Sequence, residues 1–153
     1  MKIIKLIIFT LSLFIIIVLT LNMDFNNNES KIDRFTFFKY AKDNNLETIY
    51  KTDDFKNIKG LGNAYCLDND EVCFYEFTSN EFSKKEFEYK YKTIKKDYDI
   101  NGLYIYERKR INKIEAEVGS TYILFYRKDN ILVTIVTDIS NKNKYQDLIK
   151  IIN

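Results

Sequence analysis

Histidine and proline are absent from this 153-residue chain, glycine occurs only four times and cysteine twice. Without histidine the chain has neither the commonest general base nor the commonest nitrogen ligand for a metal. A zinc site would need carboxylates to complete a shell begun by two cysteines, so neither metal nor cofactor is expected. The absence of proline and the shortage of glycine exclude collagen-like and Gly/Ser-linker architectures. No Walker loop, G-x-G-x-x-G or G-x-S-x-G pattern occurs either.

What is present is apolar and aromatic. The composition is 46% hydrophobic and 16% aromatic, with 12 Tyr and 12 Phe, which argues for a folded domain. Charge is unevenly placed. All 22 acidic residues lie at or after Asp24, and only Lys2 and Lys5 of the 24 basic residues precede it. Residues 24–153 therefore carry 22 positive and 22 negative side chains. Such a neutral domain has no electrostatic footprint for nucleic acid.

From Leu6 to Met23 there is no charge, and 13 of those 18 residues are Leu, Ile, Phe or Val. Insertion into a bilayer is favourable by about 4–8 kcal/mol before the cost of Thr10, Ser12 and Thr20. A helix of this length spans about 27 Å, close to the hydrocarbon thickness. Lys2 and Lys5 place the N-terminus in the cytoplasm and the rest of the chain outside it. The expected organisation is a transmembrane anchor over residues 1–23, a polar tether over 24–30 and one extracytoplasmic domain over 31–153. The alternative is a secreted protein after signal cleavage, but Leu19-Thr20-Leu21-Asn22 is a poor cleavage site. The first cysteine, Cys66, is too distant for a lipoprotein. Asn28-Glu29-Ser30 matches the glycosylation sequon, which matters only in a eukaryotic secretory pathway.

In the domain, Ser30 can cap a helix over 31–44, with Ile32, Phe35, Phe38 and Ala41 at helical spacing. Asn44-Asn45 ends it. An edge strand follows at 48–52, and 53–59 is ambiguous. Residues 63–67 and 72–77 form a hairpin around a turn at 68–71. Thr78 and Glu81 have capping-box spacing and open a helix reaching Tyr98, with a stripe of Phe82, Phe87, Tyr91, Ile94 and Tyr98. After the Asn101-Gly102 turn, strands are expected at 103–108, 113–118, 121–127 and 131–137, then a helix over 142–152. This order predicts an α+β fold, with an antiparallel sheet made of the hairpin plus the meander. Amphipathic helices are expected on one of its faces.

The passage Phe74-Tyr75-Glu76-Phe77-Thr78-Ser79, with Phe82-Ser83 beyond it, leads from strand to helix. Tyr122-Ile123-Leu124-Phe125-Tyr126-Arg127 and Asn130-Ile131-Leu132-Val133 then form paired strands before the closing helix. Over roughly residues 32–153 this pattern resembles an uncharacterised group of small membrane-anchored or lipoprotein domains of Gram-positive bacteria. The resemblance implies the architecture and no chemistry.

Cys66 and Cys73 flank the hairpin turn symmetrically. A four-residue loop between the strands sets them at a non-hydrogen-bonded pair, where side chains approach most closely. In an oxidising compartment this favours a disulfide, worth about 2–2.5 kcal/mol in the chain-entropy account. Two free thiols are the alternative. Asp68-Asn69-Asp70 fails as a calcium loop, because Cys73 and Ser79 stand where glycine and glutamate are required. Asp53-Asp54 can join that turn only if the fold brings them together. Glu107-Arg108-Lys109-Arg110 reads first as charge protecting a sheet edge and second as a contact for anionic headgroups or an acidic partner. The lysine-rich helix reads as a solvated face with i,i+4 partners.

The sequence leaves enzymatic activity undecided. It favours a non-catalytic binding or interaction module with a protein partner at the cell surface. A small carboxylate-dependent hydrolase is an alternative, although 22 acidic residues make any chosen pair arbitrary. A structural or accessory subunit of an envelope complex is another. A pocket of convergent carboxylates would favour the hydrolase, and an exposed Tyr/Phe patch would favour protein binding.

Overall fold

The computed structural model describes residues 32–67, 71–98, 106–108 and 111–152. The expected anchor and tether, the turn residues 68–70 and the Asn101-Gly102 turn lie outside the described residues. Among the described residues no helix is long and apolar enough to cross a membrane.

The first helix, α1, spans Arg34–Asp43 and is capped by Asp33 rather than Ser30. The Thr36 N–H donates to Asp33 Oδ1 at 2.7 Å, and the Asp33 N–H donates to Thr36 Oγ1 at 2.8 Å. These reciprocal bonds form a capping box with threonine in the usual Glu/Gln place. The start is displaced because Ile32 is buried with Phe37 in the same core cluster. The two residues occupy the staple positions on either side of the cap. At the far end Asn45 is left-handed (φ 54°), while the N–H groups of Leu46 and Asn45 donate to Ala41 and Lys42 carbonyls. That is a Schellman stop, at the expected place.

Seven strands follow: β1 (Thr48–Tyr50), β2 (Leu61–Leu67), β3 (Val72–Phe77), β4 (Tyr106–Arg108), β5 (Ile111–Val118), β6 (Thr121–Lys128) and β7 (Ile131–Asp138). Between β3 and β4 lies the long helix α2, Asn80–Asp97. A 3-10 segment, Ile139–Tyr145, runs into a short helix α3, Gln146–Ile152, over the stretch expected to be one helix. The order across the sheet is β1-β2-β3-β7-β6-β5-β4, and all of its pairings are antiparallel. Hairpin and meander thus join in one sheet through β7, the last strand in sequence, which pairs with β3 near the centre.

The helices cover both faces of this sheet, which corrects the expected one-sided cover. α1 and α3 pack with Phe74, Tyr122, Leu124, Tyr126, Val133 and Ile135 in one core cluster. Phe87 and Ile94 of α2 pack with Tyr75, Phe77, Ile123, Phe125 and Leu132 in another. The reason lies in β6, buried at six consecutive positions from Tyr122 to Arg127. Successive side chains point to opposite faces, so a strand apolar at both parities needs cover on both sides.

The start of α2 differs in detail. Ser79, not Thr78, caps the helix by accepting from the Phe82 N–H at 3.4 Å. Thr78 is engaged elsewhere, its N–H donating to the Gly60 carbonyl at 2.8 Å, and Glu81 pairs with Lys85 along the helix.

Candidate interaction surface

The hairpin cysteines meet as expected. Cys66 and Cys73 are register partners with Cα atoms 4.1 Å apart and sulfurs at the disulfide distance of 2.08 Å. Both are buried on the α2 face of the sheet, among Ala64, Tyr75 and Phe77. They serve as a staple inside the core and present no reactive group to solvent.

Their spacing determines what the neighbouring edge offers. A Cα separation this short marks a non-hydrogen-bonded pair, so the backbone groups of Cys66 point away from β3 and toward β1. Ile49, opposite Cys66, therefore bonds inward, as does Lys51, whose N–H donates to the Ala64 carbonyl at 2.9 Å. By alternation Thr48 and Tyr50 turn their N–H and C=O groups to the outer side of β1. Among the described residues no strand pairs there.

Beside this open edge the aromatic side chains gather. Tyr50 and Tyr65 have ring centroids 5.5 Å apart, and Phe38 of α1 meets Tyr65 edge-on at 4.8 Å. Tyr50 is 57% exposed on this face; Phe35, on the side of α1 away from its buried residues, is 75% exposed, and Ile49, on the opposite face of β1, 40%. Such large apolar groups are exposed at a cost, and grouped exposure marks contact surfaces more often than single exposure does. The shelf has one cationic corner. Arg34 lies 3.5 Å from Glu76 and beside the Tyr65 hydroxyl, and both neighbours raise its affinity for the proton.

A concavity of about 310 Å³ lies between α1 and α3. Thr36, Lys39, Tyr40, Asp43, Asp147 and Ile151 are among its lining residues. Its two carboxylates share the groove with a lysine, and Asp147 is bonded to Lys150 at 2.9 Å. This mixed lining is unlike the convergent carboxylate pair of a glycosidase.

The remaining buried polar groups join elements together. Arg127, 2% exposed, donates through Nε to Asn112 at 2.5 Å and through a terminal nitrogen to the Asn80 side chain and the Asp129 carbonyl. Ser83 donates to the same Asp129 carbonyl. This cluster fixes the first turn of α2 to the β6–β7 turn, and nothing in the sequence pattern had singled out Arg127.

On the other face Tyr122 donates to Glu115 at 2.9 Å, with Lys142 4.3 Å above its ring. Burial and the carboxylate push the Tyr122 phenol well above its ordinary value. Burial alone would raise the Glu115 carboxyl, but the bonds from Lys113 and Tyr122 outweigh it and hold the group below the usual carboxylate range.

The other charged candidates are dispersed. Asp53 and Asp54 pair with Lys56 and Lys51. Glu107 and Arg108 lie on β4, the terminal strand at the far edge, while 109–110 are outside the described residues. Among the described residues no group of three or more His, Cys, Asp or Glu side chains is placed to hold a metal. Comparison with protein-family models, with curated proteins and with solved structures found no match for this chain.

Proposed function

We propose that the chain is a non-catalytic binding module, held at a membrane by its apolar N-terminal segment with the folded domain outside the cytoplasm. Its partner is an extended segment of another protein, added as a strand along β1. The observation that carries the reading is the coincidence of an open strand edge with an aromatic shelf. Thr48 and Tyr50 offer backbone donors and acceptors, and Phe38, Tyr50 and Tyr65 lie beside them. Strand addition takes affinity from main-chain bonds and specificity from alternate side chains, so the fitting ligand carries aromatic or aliphatic residues at every second position.

The test is a photo-crosslinker in place of Tyr50 in intact membranes. The reading expects reproducible adducts that vanish in a Thr48→Pro background, where one outward N–H is removed, and in Phe38→Ser. Thermal unfolding of both variants, measured alongside, separates a lost edge from a lost fold. Adducts that persist in both folded variants, or no reproducible adduct at all, would sink it.

A further inference from the structure

We propose that the outer face of α2 rests on anionic lipid headgroups, so that the domain lies against the membrane through this helix. The inference goes beyond the strand-edge reading but rests on its anchored part.

Helical spacing sets Lys85, Tyr89, Lys92 and Lys96 in one stripe opposite the buried Phe87 and Ile94. All four are exposed, and Tyr89 is 64% exposed. The lysines of the first half of the helix are matched within it: Lys85 with Glu81, Lys84 with Glu88 and Lys90 with Glu86. Lys92, Lys95 and Lys96 form no such ion pair among the described residues, and Asp97 is the one acid in their turn of helix. The helix dipole favours cations in the last turn, which accounts for Lys95 and Lys96 but not for Lys92 or the bare ring of Tyr89.

A convex stripe of long cationic side chains around one phenol has no hollow for a compact ligand. It suits an extended plane of negative charge, and tyrosine is at home at headgroup level. On the anchored reading, residues 24–31 reach at most about 28 Å, so a contact too weak to capture a free protein still orients a tethered one. α2 covers the sheet face opposite α1 and α3. Resting on α2 therefore leaves the shelf of Phe38, Tyr50 and Tyr65 facing away from the bilayer.

The experiment uses the full-length chain reconstituted into vesicles of phosphatidylcholine alone, or of an equimolar mixture with phosphatidylglycerol. Lysines are acetylated by a water-soluble reagent and quantified residue by residue by mass spectrometry. On the mixed vesicles Lys92, Lys95 and Lys96 are expected to react several-fold more slowly. High salt should restore their reactivity, while Lys39 and Lys42 on α1 react alike on both surfaces. Lys92→Gln combined with Lys96→Gln should abolish the protection of Lys95. Equal reactivity on the two lipids, with the protein retained after an alkaline wash, overturns the contact and leaves the anchor standing. Release of the chain by that wash overturns the anchored reading, and the contact with it.

Discussion

Tyr145 and Glu71, distant in sequence, meet at 2.6 Å, the phenol donating to the carboxylate at the end of the β2–β3 turn. Thr137 donates to the same oxygen at 2.9 Å. One carboxylate thereby ties the hairpin, the last strand and the entry to α3. Tyr145→Phe should lower unfolding free energy by about 1–2 kcal/mol, since it removes a charge-assisted bond but leaves Thr137 in place. Urea denaturation checks it, and an unchanged midpoint would show that the bond is not made in solution.

Arg127 should be more costly to replace. Arg127→Met keeps much of the stem but strands the side-chain oxygens of Asn112 and Asn80. A loss of about 2–4 kcal/mol is expected. Hydrogen exchange should locate it in the first turn of α2 and the β6–β7 turn.

Gly60 combines a left-handed backbone (φ 74°) with a close neighbour, since a Cβ there would stand 2.2 Å from the Phe82 ring. Gly60→Ala should therefore destabilise by about 2–4 kcal/mol. Gly119 is also left-handed (φ 58°) but has open space around it. Gly119→Ala should lose only the backbone part, about 1 kcal/mol. Thermal melts of the pair separate steric overlap from conformational strain.

The disulfide closes a short loop, so Cys66→Ala with Cys73→Ala should cost about 2–2.5 kcal/mol through the unfolded chain alone. Both sulfurs are buried, and cavity formation adds to that figure. Reduction of the wild-type protein followed by denaturation should show at least this loss.

Acid and alkali should act through one hydrogen-bonded pair. Glu115 is held below its ordinary value of 4.5, so its contribution is present above that pH and lost as the pH falls through the folded-state value. Tyr122 is raised above 10.0, so its contribution is whole below pH 10 and lost as the pH climbs toward the folded-state value. Stability measured across pH should show both shoulders. Glu115→Gln should flatten the acid one and weaken the alkaline one.

Much of the architecture was legible because it is local. The Asn44-Asn45 stop, the Cys66–Cys73 register and the Ile131 start of β7 follow from turn chemistry and alternation over a few residues. The caps were misplaced by one residue at Ser79 and three at Asp33, because several Ser, Thr and Asp side chains compete and distant packing of Ile32 and Thr78 decides between them. The two-sided cover is also written in the residues of β6. Tyr122-Ile123-Leu124-Phe125-Tyr126 is apolar at both parities, which already requires two covered faces.

The candidate surface was far less visible. Counting 12 Tyr and 12 Phe cannot sort core rings from exposed ones. Phe37 is buried and Phe35 bare, although both sit in the same amphipathic helix. Which ring is covered depends on where Phe74 and Tyr65 arrive from elsewhere in the chain.

By itself the sequence determined the element order, the antiparallel pairing within each hairpin and the cysteine pair, because these interactions close short loops and lose little chain entropy. The tertiary structure decided that β7 would join the two halves, that β1 would end the sheet among the described residues and that Arg127 would fasten α2. Those outcomes depend on which surfaces meet across long stretches of chain. Only the three-dimensional competition for burial selects among such pairings.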